Sequence, residues 1–304
     1  MSSLTPASNP DRVRSQAGFL LVAILFAVAL AGCRGGLGEE GEVLATPSPS
    51  PYPEASQPAE TGAASQQEQA LELLERGKTL LEDDRCEEAL EPLEQAVEMD
   101  PALADAYLTL GNAYARTAQA EKAMEAYETA ISIDPGFSAA FTNLGAAYLR
   151  QAADSESLQL AVEAFETALA LDPDDADTHV NLGFARLQGS LIPEALDEFE
   201  QALSLDPELA EAYVGLGYAQ LVQGNAAQAV DQFRKATEID PAMPEAHYAL
   251  AISYYETQQF DQAIAALEAF LEIEIPVQCK GDRNLAAEAR EQATTLLEQL
   301  RALE

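Results

Sequence analysis

Positive charge is what this chain has least of. Its 304 residues carry 16 lysines and arginines, four of them lysine, against 52 aspartates and glutamates, for a formal net charge of −36. Nucleic-acid binding needs a basic footprint, so that class of partner is excluded. An anionic membrane surface would repel the chain for the same reason. The excess describes either a very soluble surface of solvated acidic faces or an adaptation to high salt, which screens self-repulsion. Histidine is almost missing. His179 and His247 are 68 residues apart and are read as core-packing side chains, since they cannot share a metal whose bonds are near 2 Å. Long apolar runs are also lacking. The single candidate, Gly18–Ala31, has 14 residues where a membrane-spanning helix needs roughly 20.

Catalytic and metal-binding signatures are absent as well. Gly77, Lys78 and Thr79 suggest the end of a phosphate-binding loop, but Glu72 stands where that loop needs glycine. Asp172, Asp174, Asp175 and Asp177 form an acidic cluster, yet a calcium loop beginning at Asp172 would need glycine at 177 and glutamate at 183, where the chain has Asp177 and Gly183. Helix N-capping is the reading for that cluster. No nucleophile elbow, zinc-peptidase pair or dinucleotide motif occurs. Neither an enzyme activity nor a cofactor is expected.

What is present is a period. Asp-Pro pairs place Pro101, Pro135, Pro173, Pro207 and Pro241 at intervals of 34, 38, 34 and 34 residues. Twenty-four residues before the proline stands Gly77, Gly111, Gly183 or Gly217, with Gly145 four places further back because of an insertion near residues 152–157. Twelve before it stands Ala89, Ala123, Ala161, Ala195 or Ala229, and five before it Ala96, Ala130, Ala168, Ala202 or Ala236. Between the alanines lies a large side chain: Leu93, Tyr127, Phe165, Phe199 or Phe233. Small residues let two helices approach, and the large one fills the hole opposite. The proline ends the second helix. A period of this size signals a solenoid of helical hairpins, each burying its apolar face against its neighbours.

These positions, with the stretches Tyr107–Tyr114 and Phe141–Tyr148, resemble the tetratricopeptide repeat. The resemblance implies an all-α, right-handed superhelical solenoid with six repeats over 68–276. The last repeat is atypical, with Ala251 for the glycine, Phe270 for an alanine and Pro276 one place late. Residues 277–304 carry the apolar stripe Leu285, Ala289, Ala293, Leu296, Leu297, Leu300 and Leu303, which reads as a capping helix.

The N-terminus has a different character. Arg12 and Arg14 precede the apolar run, which ends in Leu30, Ala31, Gly32 and Cys33. A positive flank, a short apolar core and small residues describe a secretory signal over 1–32. The ending resembles the bacterial lipobox, which implies cleavage before Cys33, acylation of that cysteine with chains such as palmitate, and anchoring to a membrane of the cell envelope. Arg34, in place of aspartate, implies the periplasmic face of the outer membrane if the cell has two membranes. Residues 33–67, rich in Pro, Ser, Gly, Ala and Glu, read as a disordered tether. With Cys33 lipidated, Cys86 and Cys279 remain at opposite ends of the solenoid, so an intrachain bridge is not expected. Cys86 then reads as a small buried filler.

The repeat resemblance further implies that the first helix of each hairpin lines a binding groove. Carried over, the lining positions are Asp105, Leu108, Asn112, Arg116, Thr142, Asn143 and Arg150 in the early repeats, a polar stretch. In repeats four to six they become Val180, Phe184, Leu187, Val214, Tyr218, Leu221, Tyr248, Ile252 and Tyr255, a run of apolar and aromatic side chains that exceeds scattered surface hydrophobes. Leu187, Leu221 and Tyr255 are equally readable as interhelix core. Asn112 and Asn143 match two members of the family's carboxylate-clamping set, but Leu108 and Asp177 hold its lysine positions, so recognition of an apolar or aromatic segment is expected instead. The functional expectation is a membrane-anchored scaffold that binds protein or peptide partners. The alternatives are an accessory subunit of an envelope enzyme, or a structural protein that self-associates through its last helix or Cys279.

Overall fold

A computed structural model describes residues 60–152, 155–273 and 283–302. Among them are thirteen α-helices and no strand: α1 (Glu60–Glu82), α2 (Cys86–Met99), α3 (Ala104–Arg116), α4 (Ala120–Ile133), α5 (Ser138–Gln151), α6 (Ser155–Leu171), α7 (Ala176–Gln188), α8 (Ile192–Leu205), α9 (Ala210–Val222), α10 (Ala226–Ile239), α11 (Pro244–Glu256), α12 (Phe260–Glu272) and α13 (Arg283–Arg301). The signal and lipobox residues, Cys33 among them, lie outside the described residues, and so does Cys279. No described helix is long and apolar enough to cross a membrane.

The chain divides into two compact units at residues 147/148, within α5. In the first, α1 packs on α2, α2 on α3 and α3 on α4, and α1 also touches α3. In the second, each helix from α6 to α13 packs on the next in sequence, and α7 touches α9 as α9 touches α11. Contact between sequence neighbours, and between successive first helices, is the signature of a solenoid.

The glycine–ring pairing is visible atom by atom. A Cβ on Gly77 would lie 2.3 Å from Leu93 Cδ2, on Gly111 2.4 Å from Tyr127 Cε1, on Gly183 2.6 Å from Phe199 Cε1, and on Gly217 2.6 Å from Phe233 Cε1. Real Cβ contacts are never this close, so each large side chain occupies space that only glycine leaves open. The rings themselves are fully buried: Phe165, Phe199 and Phe233 have no exposed surface. Gly215 adds a second such contact, with its Cβ position 2.2 Å from Phe199 Cε1. Phe199 is therefore gripped by its own repeat's first helix and by the next one.

The aspartate before each proline has a task of its own. Its side chain accepts the backbone N–H two residues on: Asp100 from Ala102 at 3.1 Å, Asp134 from Gly136 at 2.9 Å, Asp206 from Glu208 at 2.9 Å and Asp240 from Ala242 at 2.9 Å. This Asx turn re-aims the chain after the proline has ended the helix. In five of the hairpins one residue adopts the left-handed conformation: Asp84 (φ 57°), Ala118 (61°), Ser190 (62°), Gly224 (80°) and Gln258 (61°). The next N–H reaches five residues back to a helical carbonyl, as from Leu191 to Arg186 at 2.9 Å, closing a Schellman turn.

Three expectations need correction. The tether does not extend to residue 67, because α1 begins at Glu60, where the prolines stop and Glu, Ala and Gln favour helix. Cys86 is buried but is not a free apolar filler: it is disulfide-bonded. The histidines are half-buried rather than core. His179 Nε2 bonds the Pro173 carbonyl at 3.2 Å and His247 Nε2 the Pro241 carbonyl at 3.1 Å, and Tyr213 does the same to Pro207 at 3.3 Å.

Candidate functional site

Within the first unit, Asn112 on α3 is the centre of a polar set. Its Oδ1 accepts from the Tyr127 hydroxyl and from Asn143 Nδ2, each at 2.9 Å. The structure thus brings Asn112 and Asn143 together. Arg116, one turn on, is committed elsewhere. Its guanidinium donates to the Leu81 carbonyl at 2.6 Å and pairs with Asp84, so it ties α3 to the end of α1. Lys78 forms an ion pair with Asp105 at 2.8 Å, occupying the acidic end of the same helix.

Within the second unit, Arg150 near the end of α5 is exposed. The apolar set rests on α7, α9 and α11. Phe184 meets Phe199 edge-on with ring centroids 5.1 Å apart, Tyr218 meets Phe233 at 5.2 Å, and Tyr248 meets Phe270 at 5.2 Å. Phe184 and Tyr218 therefore each meet the large residue of their own hairpin, while Tyr248 meets Phe270, which replaces the second alanine of the last repeat. Phe184, Tyr218 and Ile252 are equivalent positions, as are Val180, Val214 and Tyr248 one turn before them, and all six are buried. The corresponding positions of α3, at Leu108 and Asn112, are half-exposed. Tyr255 is half-exposed and stands 6.0 Å from Phe260.

Two groups in this set were not legible in the sequence. The hydroxyls of Tyr218 and Tyr248 are buried without a hydrogen-bond partner. Burial pushes the Tyr248 hydroxyl up to about 12. It pushes that of Tyr218 further, with the charge of Glu245 and the neighbouring Tyr248 adding to it. Asp177, at the start of α7, is pushed up to about 6 by desolvation and by the like charges of Asp175, Glu211 and Asp206. The neighbouring Asp175 is the N-cap of α7, accepting from the Asp177 and Thr178 amides at 3.1 and 3.2 Å, as the acidic cluster suggested. A half-buried network joins three helices. Glu198 on α8 takes His179 Nδ1 at 2.6 Å and Arg186 Nη1 at 2.5 Å from α7, and Arg186 Nη2 reaches Glu166 on α6 at 3.2 Å. With Nε2 facing a carbonyl and Nδ1 a carboxylate, both nitrogens of His179 must donate for both bonds to form. No cluster able to hold a metal ion occurs among the described residues.

Nested helical hairpins with a recurring glycine socket define a class of interaction scaffold, in which first helices present one side and second helices the other. The chain belongs to the tetratricopeptide-repeat family. Profiles described as tetratricopeptide repeat match residues 221–274, 180–244 and 104–137, and one described as TPR repeat matches 77–117 and 153–189. No curated protein matches the chain. Solved structures similar to it include the APC/C hetero-tetramer Cut9-Hcn1, at 22% identity and a TM-score of 0.63, covering 74% of this chain and 43% of that one. TTC0263, a thermophilic TPR protein of Thermus thermophilus, matches at 23% identity and a TM-score of 0.52, covering 66% of this chain and 99% of its own. YrrB, a TPR protein with an unusual peptide-binding site, matches at 24% identity and a TM-score of 0.43, covering 66% and 97%. The chain thus spans less than half the length of the first of these, and the first two likenesses speak to the fold alone.

Proposed function

We propose that the chain is a lipid-anchored scaffold of the cell envelope that gathers protein or peptide partners on the first-helix side of its repeats. The observation that carries this reading is the repeat stack itself: α7, α9 and α11 touch in succession and align Val180, Phe184, Val214, Tyr218, Tyr248 and Ile252 in one register. A scaffold needs such a continuous side and needs no catalytic group.

Anchoring and export rest on the sequence around Cys33, and the Cys86 disulfide supports them, because disulfides persist in oxidising compartments. The two readings constrain each other. The chain has three cysteines, so acylation of Cys33 leaves Cys279 as the partner of Cys86. The full chain expressed in a bacterium with labelled palmitate should take up label and fractionate with membranes, and Cys33→Ser should do neither. A non-reducing peptide map should contain Cys86 joined to Cys279. A soluble, unlabelled protein, or a Cys33–Cys86 peptide, overturns the anchored reading.

A further inference from the structure

The two loop edges of the second unit differ in charge. Where a second helix hands on to the next first helix, residues 172–177, 206–211 and 240–245 hold four, three and two carboxylates and no cation. On the opposite edge, the hairpin turns at residues 188–193, 222–228 and 257–262 hold one charged residue between them, Asp261. Turn geometry does not demand this, since the turn of the first repeat, residues 82–88, holds five carboxylates. Successive turns lie side by side: Gln188 donates to the Ala152 carbonyl of the preceding turn at 3.3 Å, and α7, α9 and α11 touch in order. Three large apolar side chains stand out from the neutral edge, Leu191 at 49% exposure, Val222 at 47% and Phe260 at 39%. The repeat does not ask for the first two. Gln119, Asn225 and Gln259 occupy the position of Leu191 in other repeats, and Arg116, Gln188 and Glu256 that of Val222. Phe260 adds a ring beside the half-exposed Tyr255, with centroids 6.0 Å apart.

We propose that this edge binds a second copy of the chain, turn edge to turn edge about a two-fold axis. A cationic partner would be drawn to the acidic edge instead. An edge cleared of carboxylates and carrying exposed apolar side chains suits a partner that is itself acidic, and this chain, at a net charge of −36, is such a partner. Two copies repel least when their neutral edges face each other and their acidic edges point away. A two-fold contact uses the same patch on both copies. The patch spans three repeats, so antiparallel pairing sets Val222, in the middle repeat, near the axis and Leu191 opposite the partner's Phe260. The contact uses the turns and not the first-helix side, so it stands or falls separately from the binding side proposed above.

The test is sedimentation equilibrium of the full chain in density-matched detergent, at about 0.05 M and about 0.5 M salt. A reversible monomer–dimer equilibrium is expected, tighter by about tenfold at the higher salt, because screening relieves the repulsion between the copies and leaves the neutral contact intact. Leu191→Glu with Val222→Glu and Phe260→Glu should weaken the dimer by about a hundredfold, and the three glutamine replacements together by about tenfold. Both variants should melt with the natural chain, since all three side chains are exposed. A monomer at every concentration and both salts overturns the proposal. So does a dimer that neither variant weakens, which places self-association on another face. A dimer that is covalent on a non-reducing gel assigns the contact to a cysteine and overturns the proposal as well. A monomer that floats with neutral phosphatidylcholine vesicles, and no longer does so as the glutamate variant, assigns the edge to lipid and overturns the second copy.

Discussion

Glycine-for-ring exchange is the residue-scale rule of this molecule, and it can be measured as a coupling. Gly217→Ala should cost about 1–3 kcal/mol, because its methyl would meet the Phe233 ring. In a Phe233→Leu background the methyl has room, so the same change should cost much less; chemical denaturation of the four proteins gives the coupling. The hairpin turn obeys a second rule. Ser190→Gly and Gln258→Gly should each add about 0.5–1 kcal/mol, because those residues hold a positive φ that glycine adopts without strain. Gly224→Ala should lose about as much although nothing crowds the site, and thermal melts of the single variants check all three. Asp177 sets a pH dependence. Its carboxyl titrates near 6 in the fold against an ordinary 3.8, so its stabilising contribution is full below about 4 and is lost as pH rises through about 6. Asp177→Asn should therefore be more stable than the natural chain at pH 7.5, by about 1 kcal/mol after screening at this partly exposed site. Below pH 4 the difference should vanish, as denaturation at the two pH values would show.

At the scale of elements, the repeats were legible because sockets and proline stops recur at fixed offsets. One unit that is ambiguous alone is fixed by four that agree. The left-handed turn residue was not legible, because Asp84, Ala118, Ser190 and Gln258 share no chemistry there. Nor was the ion network of Glu198, His179, Arg186 and Glu166, which is specific to one repeat and leaves no period. The Cys86 bridge escaped for a related reason: covalent closure depends on where distant segments meet, and repeat spacing does not encode that. At the C-terminal edge, α13 lays Ala293, Leu297 and Leu300 into buried positions, and packs on α12. Arg290 donates to the Leu271 carbonyl at 3.2 Å and to that of Ile273, satisfying the end of α12. Leu300→Ala should cost roughly 2–4 kcal/mol. In a nearest-neighbour stack the loss should appear as faster hydrogen exchange in α12 and α13, with α7 to α9 unchanged.

At the scale of the whole molecule, charge and architecture point the same way. A net charge of −36 repels anionic partners and attracts cationic ones, and a repeat stack offers them a continuous side. Of the groove positions read from the sequence, Asn112 and Asn143 meet, Arg116 is spent on holding two helices together, and the apolar set shares one register on α7, α9 and α11. Periodicity could place those residues in register. It could not show which of their polar atoms would find partners, because that depends on contacts between repeats. The decisive measurement is hydrogen exchange on the full chain with a captured partner bound, compared with the chain alone. Binding on the first-helix side predicts slower exchange in α7, α9 and α11 and little change in α8, α10 and α12. Protection confined to the second helices would contradict it.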